Sequence, residues 1–304
     1  MSHGFLATND NGQVLISSET RNLHFVGKAK LHAELKSESG YGGMRRWNFW
    51  IDCMVTPVPF FTMPTNDRYG VSAVRQVQQG LWEIEIIRSG SSASIPEVYV
   101  FADPRAVTPT ENYGMQVFRD DGTPSFDSRM SPLAVIGGTY VSPPPNPLVA
   151  SPGGLSAQYC NSNAGVSMGP DSERPTGLNL LASKPMFFFP SIAQAQRQVN
   201  FSQEEKNCVG FDAYGGCVGY GTQKNWDSHY WAFYRSGIRY AAGAVYCGWV
   251  TVEYGCNWTY REENSLIGIG LGGNSGAAGS WPYNNETLNL QSTAVIVGDA
   301  SKYD

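Results

Sequence analysis

The opening of this chain is repeated once further along, and this repeat constrains the fold more than any other feature of the sequence. Residues 4–27 (GFLATNDNGQVLISSETRNLHFVG) align without a gap on residues 114–137 (GMQVFRDDGTPSFDSRMSPLAVIG). The identical pairs are Gly4/Gly114, Asp10/Asp120, Gly12/Gly122, Ser18/Ser128, Leu23/Leu133 and Gly27/Gly137. An internal repeat indicates one structural unit used twice, so the sequence predicts two related units.

Each copy of the motif predicts a β-hairpin followed by a third strand. Asn11-Gly12 and Asp121-Gly122 are dipeptides that favour the left-handed backbone of a tight hairpin turn. Short apolar stretches flank each dipeptide, and a further apolar stretch ends at Gly27 in one copy and at Gly137 in the other.

A weaker similarity closes the two halves of the chain. Residues 98–103 read VYVFAD and residues 295–300 read VIVGDA. We therefore predict an N-terminal β domain over 1–105 and a larger C-terminal β domain over 112–304 with the same opening motif. Insertions at 142–185 and 268–280 are expected to account for the larger size of the second domain.

Between these markers the dominant period is two. In Trp82 to Ile86 and in Val250 to Tyr254, apolar residues alternate with Glu or Thr, which is typical of half-buried antiparallel strands. Only 192–198 (IAQAQRQ) suggests two turns of helix, and 71–79 is ambiguous. The predicted fold class is all-β, with two tandem antiparallel β-sandwich-like domains and little helix.

Composition argues against several classes of partner. The formal net charge is −5 and no basic run exceeds Arg45-Arg46, so a nucleic-acid-binding surface is not expected. No apolar stretch approaches the length of a spanning helix, and the N-terminal MSHGFLATND lacks the pattern of a secretory signal. We expect no membrane insertion and no export.

The six cysteines are compatible with two interpretations. Two pairs share a nine-residue spacing, Cys208/Cys217 and Cys247/Cys256, which is wider than the usual spacing of zinc ligands. Buried free thiols in a reducing compartment are favoured, and a disulfide or a metal site is the alternative.

Catalytic patterns are weak throughout. The Gly-x-Gly-x-x-Gly match at 268–273 is followed by helix-breaking residues, unlike a dinucleotide site. Asp227-Ser228-His229 are consecutive and cannot adopt triad geometry on one strand. Glycosidases need two carboxyl groups that face each other across one bond, and the adjacent residues Glu204-Glu205 and Glu262-Glu263 would point to opposite faces of a strand. A catalytic pair formed by carboxylates from different strands stays an open alternative. We expect no enzyme activity and no cofactor.

Aromatic residues are densest between Trp226 and Tyr260. Exposed rings flanked by Asn, Ser and Gly suit sugar stacking or protein binding, and some rings are candidates for a subunit interface. The alternative is that most of them form the core of the second domain. The candidate receptor- or partner-binding residues are Trp258, Asn274, Trp281 and Tyr283, in and beside the Gly-rich stretch 268–280.

The stretches 113–138 (YGMQVFRDDGTPSFDSRMSPLAVIGG) and 281–304 (WPYNNETLNLQSTAVIVGDASKYD) resemble tail-tip and tail-fibre-associated proteins of siphophages and prophages. The first copy, GFLATNDNGQVLISSE, resembles the same module in a more divergent form. It has Ser-Ser-Glu at 17–19 where the second copy has Asp-Ser-Arg at 127–129.

This resemblance implies a virion structural protein of the tail tip or baseplate, assembled in the bacterial host cytoplasm. It further implies a homo-oligomer, often a trimer, that contacts other tail proteins as scaffold or adaptor. The alternative is a receptor-binding protein for a host surface glycan or pilus, and a glycan-degrading enzyme ranks third.

Overall fold

The computed structural model describes residues 6–8, 14–17, 22–36, 45–90, 94–109, 111–144, 173–211, 213, 217–263 and 283–304. Over these ranges the chain is all-β with two short 3-10 helices, at Pro104–Ala106 and Ala300–Lys302. The prediction of an all-β, sandwich-like fold of antiparallel sheets is confirmed. No helix in this part of the chain is long and apolar enough to cross a membrane.

The strands are numbered in chain order. Those before residue 105 are β1 (Leu6–Thr8), β2 (Val14–Ser17), β3 (His24–Lys28), β4 (Lys30–Lys36), β5 (Arg45–Asp52), β6 (Val58–Thr62), β7 (Tyr69–Gln78), β8 (Leu81–Arg88) and β9 (Val98–Ala102). Those after it are β10 (Gln116–Phe118), β11 (Pro124–Asp127), β12 (Val135–Val141), β13 (Arg174–Asn179), β14 (Pro185–Phe188), β15 (Gln194–Phe211), β16 (Cys217–Ala241), β17 (Ala244–Glu263), β18 (Tyr283–Asn289) and β19 (Thr293–Asp299).

Both copies of the opening motif form the strands that the sequence predicts. β1 pairs antiparallel with β2, and β10 pairs antiparallel with β11. Gly122 in the second turn has φ of 75°, a left-handed conformation that favours glycine. The third strands are β3 and β12, and each pairs antiparallel with the closing strand of its half, β9 or β19.

The two halves contribute strands to the same sheets. One sheet has the order β12-β19-β14-β6-β9-β3, and the other has the path β13-β17-β16-β7-β8-β5-β4. From the centre of the first sheet outward, the second half contributes β14, β19 and β12, and the first half contributes β6, β9 and β3 in the equivalent order. This arrangement indicates internal two-fold pseudosymmetry. The boundaries 1–105 and 112–304 stay a prediction about the two duplicated sequence units. Both sheets contain strands from each unit.

The halves meet at the β6–β14 pair, where two pairs of aromatic residues lie close together. Phe187 is in register with Phe61, and the Phe60 and Phe188 rings have centroids 5.7 Å apart. On the other sheet, β7 pairs with β16 at Tyr69, and at the next residue, Gly70, an added Cβ would lie 2.0 Å from Ser191 Oγ of the second half. Glycine at this position therefore permits the close approach of the two halves.

The main core lies between the two sheets and draws on both halves. It includes Trp47, Tyr69 and Ile84 from the larger sheet and Phe61 and Phe187 from the smaller one. A second apolar cluster covers the other face of the smaller sheet, with Tyr303 packed against Phe25 and Phe101 at ring distances of 5.0 Å.

The two motif copies also contact each other directly through a buried histidine. His24 Nε2 lies 3.1 Å from the Asp127 carbonyl oxygen and 3.3 Å from the Asp127 backbone nitrogen, while Nδ1 lies 3.1 Å from the Asn22 carbonyl oxygen. Burial lowers the pKa of His24 despite these hydrogen bonds. This histidine is therefore a structural link between the duplicated motifs.

Two expectations about local structure are corrected or narrowed. The predicted helical turns at 192–198 are wrong, because β15 begins at Gln194, and Ala193 and Ala195 are buried with period two. The ambiguous stretch at 71–79 lies mainly in β7. Of the cysteines, Cys53 and Cys247 are buried free thiols, and burial raises the pKa of Cys247 to about 12.

Candidate interaction site

A long four-stranded ribbon continues from the larger sheet and carries the candidate site. Its strand order is β18-β15-β16-β17, and β15, β16 and β17 contain 18, 25 and 20 residues. β16 pairs with β7 at Ile238, and β17 pairs with β13 as far as Cys247. Beyond these points, and within the residues that the structure describes, the three long strands pair only with strands of the ribbon, over roughly 50–70 Å at about 3.3 Å per residue.

The base of the ribbon is anchored by buried side chains. Tyr234 and Trp249 are 1% and 0% exposed and form a cluster with Ala193 and Ala195. The Trp249 Nε1 donates a hydrogen bond to the Pro144 carbonyl oxygen at 3.0 Å. Because Ala195 and Tyr234 are in register, this cluster identifies the face of the ribbon that continues the core-facing side of the sheet.

Strand register shows which positions extend that face away from the sandwich. Register partners share a face, and so do residues two apart in one strand. Three successive rows follow the row of Arg197 on this face. The first row contains Tyr283, Val199, Tyr230 and Cys256, the second contains Phe201, Ser228 and Trp258, and the third contains Gln203, Trp226 and Tyr260. Most of these positions are aromatic, and we call them the aromatic face.

The opposite face of the same stretch is polar. Its first row contains Asn285, Gln198, Trp231 and Gly255, and its second row contains Asn200, His229 and Asn257. The third row contains Ser202, Asp227 and Thr259, and the fourth contains Glu204, Asn225 and Arg261. Trp231 is the one aromatic residue among these positions. By strand register, the ribbon is therefore amphipathic over a stretch where, among the described residues, its strands pair only with one another.

Charged rows bound the aromatic face at both ends. At the sandwich end, Arg197 is in register with Glu286. At the far end, Lys224 is in register with both Glu205 and Glu262. The rows between them carry no charged residue, so the uncharged patch has defined limits set by the sequence.

A groove lies at the base of the ribbon on its polar side. It encloses about 450 Å³ and is lined by Gln194, Gln196, Phe233, Arg235 and Asn289, together with neighbouring residues. The Arg235 Nη1 donates to the Ser72 carbonyl oxygen at 3.1 Å, which ties the groove wall to the sandwich. Amide and guanidinium groups beside an aromatic ring are able to bind a polar ligand.

The other charged cluster near the ribbon base is structural. Arg239 and Arg68 donate to Glu173 through Nε at 2.8 and 2.9 Å, and the Arg239 guanidinium lies over Tyr246. Burial raises the pKa of Glu173, but the two arginines outweigh burial and the pKa is lowered. Throughout the described ranges, no group of three His, Cys, Asp or Glu side chains is placed to hold a metal ion.

The structure brings two of the four sequence-predicted site residues to one face. Trp258 lies in β17 opposite Ser228, and Tyr283 begins β18 opposite Val199, so both occupy positions of the aromatic face. Asn274, Trp281 and the stretch 268–280 lie outside the described residues.

Sequence reasoning identified the dense rings between Trp226 and Tyr260 as candidates but did not assign them to one face, although a signal for that face exists. Between Tyr254 and Tyr260, apolar and aromatic residues alternate with Gly, Asn and Thr at period two. In Trp226 to Tyr230 the alternation is interrupted by Ser228, and the register with β17 is what places Trp226 and Tyr230 on the same face as Trp258. Aromatic density alone did not separate a core from an exposed face.

Comparisons with protein-family models, with curated proteins and with solved structures find no match to this chain.

Proposed function

We propose that the protein is a structural component of a bacteriophage tail tip or baseplate, where it acts as an oligomeric scaffold or adaptor without catalytic activity. The resemblance of 113–138 and 281–304 to tail-tip proteins supports the virion location. The observation that carries the scaffold role is the ribbon, which extends an uncharged aromatic face beyond the sandwich that anchors it.

The architecture suits a protein that holds others in place. A sheet with one apolar face requires a second layer over that face, and among the described residues the buried positions of the ribbon lie at its base. Tyr234 and Trp249 are buried together at the base of the ribbon, and Arg235 donates a hydrogen bond to the Ser72 carbonyl oxygen in β7. The ribbon is thus a rigidly rooted arm whose apolar side is suited to another protein surface.

Location in the virion tests the proposed function. Antibodies raised against the purified protein are expected to label the tail tip of intact phage particles in electron micrographs. Deletion of the gene should give particles with an incomplete or unattached tail tip. Abundant protein in infected cells that is absent from purified particles would contradict the proposal.

A receptor-binding role is the second candidate, and the groove at the ribbon base is the observation that favours it. Its side chains Gln196, Arg235 and Asn289 offer hydrogen-bonding groups beside Phe233, which suits a sugar ring. On this account the purified protein binds host cells and blocks phage adsorption, and Phe233→Ala weakens both effects. Absence of cell binding at high protein concentration would remove this candidate.

A further inference from the structure

The aromatic face of the ribbon is the continuation of a surface that is buried inside the sandwich. At the base, Ala195 and Tyr234 on this face are 4% and 1% exposed. The same face continues past Arg197 to the rows of Tyr230 and Trp258, where the strands pair only with one another within the described part of the chain. From this continuity we infer that further copies of this chain cover the aromatic face, ribbon against ribbon. This inference rests on the proposed scaffold function and names its partner.

The size of the face matches what a stable association requires. Six of its positions hold Phe, Tyr or Trp: Phe201, Trp226, Tyr230, Trp258, Tyr260 and Tyr283. An aromatic residue buries about 150–250 Å² when fully covered, so half of that over six residues gives roughly 450–750 Å² per chain. Two such faces in contact reach about 1,000 Å² or more, the area expected of a specific interface.

The chemistry of the face favours a second copy over a sugar. A glycan needs partners for its hydroxyl groups, because an unpaired polar group is costly to bury. Within the three rows, Gln203 and Ser228 are the polar positions apart from the tyrosine hydroxyls, whereas the opposite face is polar almost throughout. An uncharged face meets its own copy without like-charge repulsion, and closed homo-oligomers are the commonest soluble assemblies.

Two neighbouring aromatic residues on opposite faces provide a matched test. Tyr230 lies in the middle of the aromatic face and Trp231 lies on the polar face. Light scattering of the purified full-length chain is expected to show an oligomer. Tyr230→Asp should raise its dissociation constant by about 100-fold or more, because the interface would bury an unpaired charge. Trp231→Asp should change it by less than about threefold.

A second measurement keeps the inference testable if Tyr230→Asp fails to fold. In the otherwise unchanged chain, Ser228→Cys on the aromatic face should cross-link between isotopically mixed copies with a short bifunctional thiol reagent. His229→Cys on the polar face should not, and mass spectrometry of the linked peptides distinguishes both from the native cysteines. Equal cross-linking of the two variants would overturn the inference.

The remaining outcomes are equally decisive. A monomeric wild-type protein, or an oligomer that both aspartate variants leave intact, would overturn the self-association. Glycan binding by the wild type that Tyr230→Asp abolishes would assign the face to a receptor instead. Because labelling of virions is a separate experiment, the tail-tip location can stand when the self-association fails, and the reverse also holds.

Discussion

Phe187 joins the two halves of the chain, and its replacement by alanine tests whether they unfold as one unit. The side chain is 0% exposed and is in register with Phe61 across the β6–β14 pair. Its ring lies 6.5 Å from that of Phe61 and 5.5 Å from that of Tyr240, measured between centroids. The residue therefore contacts the other half of its own sheet and the facing sheet at the same time.

Truncation of a buried phenylalanine to alanine costs about 3–5 kcal/mol, because apolar contacts are lost and a cavity remains. Against a typical stability of about 5–15 kcal/mol, Phe187→Ala removes a large fraction. With a urea dependence of about 3 kcal/mol/M, the unfolding midpoint should fall by roughly 1 M or more. The assay is urea unfolding followed by tryptophan fluorescence and by far-ultraviolet circular dichroism.

The position of the partner residue makes the prediction specific. Phe61 belongs to the other half of the duplication and is also 0% exposed, so Phe61→Ala should shift the same transition by a similar amount. The double variant should depart from additivity by about 0.5–3 kcal/mol, as expected for residues in contact. Two separate transitions, of which each variant moves only one, would refute the single shared core.

Three further predictions concern two buried residues and one half-buried residue outside this junction. Burial lowers the pKa of His24 below 6.5, so the unfolded chain binds the proton first and stability should fall as the pH drops below about 6.5. His24→Gln should weaken the pH dependence of the urea unfolding midpoint. The same pH dependence in both proteins would contradict this prediction. Burial raises the pKa of Cys247 to about 12, so peptide mapping after iodoacetamide at pH 8 should find it unmodified until the protein is unfolded, and rapid labelling of the native protein would contradict its burial. The Tyr303 hydroxyl accepts from the Ala134 N–H at 2.7 Å and donates to the Pro132 carbonyl oxygen at 2.6 Å, so Tyr303→Phe should cost about 1–3 kcal/mol in thermal or urea unfolding, and an unchanged midpoint would count against these hydrogen bonds.

The repeated motif was predictable because its signals are local. A turn dipeptide such as Asp121-Gly122 determines where a hairpin forms, and the structure places β10 and β11 on either side of it. The similarity of 98–103 to 295–300 likewise marks the two closing strands, β9 and β19. Each of these features is set within a few residues of itself.

The assembly of the halves was not predictable from such signals. The pairing of β6 with β14 joins Phe61 to Phe187, residues far apart in sequence, and no local pattern specifies it. The helix expected at 192–198 failed for a related reason. Alanine and glutamine favour helices in isolation, but burial of Ala193 and Ala195 on one side of the chain outweighs that preference.

The candidate site was half visible in the sequence. Trp258 and Tyr283 were identified from their residue types, and the density of rings between Trp226 and Tyr260 was evident. Which of those rings share one face depends on the register of β15, β16 and β17. Register is set by pairing between strands, so the amphipathic character of the ribbon emerges only in the fold.

Electron cryomicroscopy of the purified 304-residue chain will show whether the ribbons of adjacent copies pack together. We expect a symmetric oligomer in which these ribbons pack through the rows containing Tyr230, Trp258 and Tyr283. The polar face with His229 and Thr259 should lie outside that contact. A monomer, or an oligomer held by the sandwiches with the aromatic rows facing solvent, would contradict it.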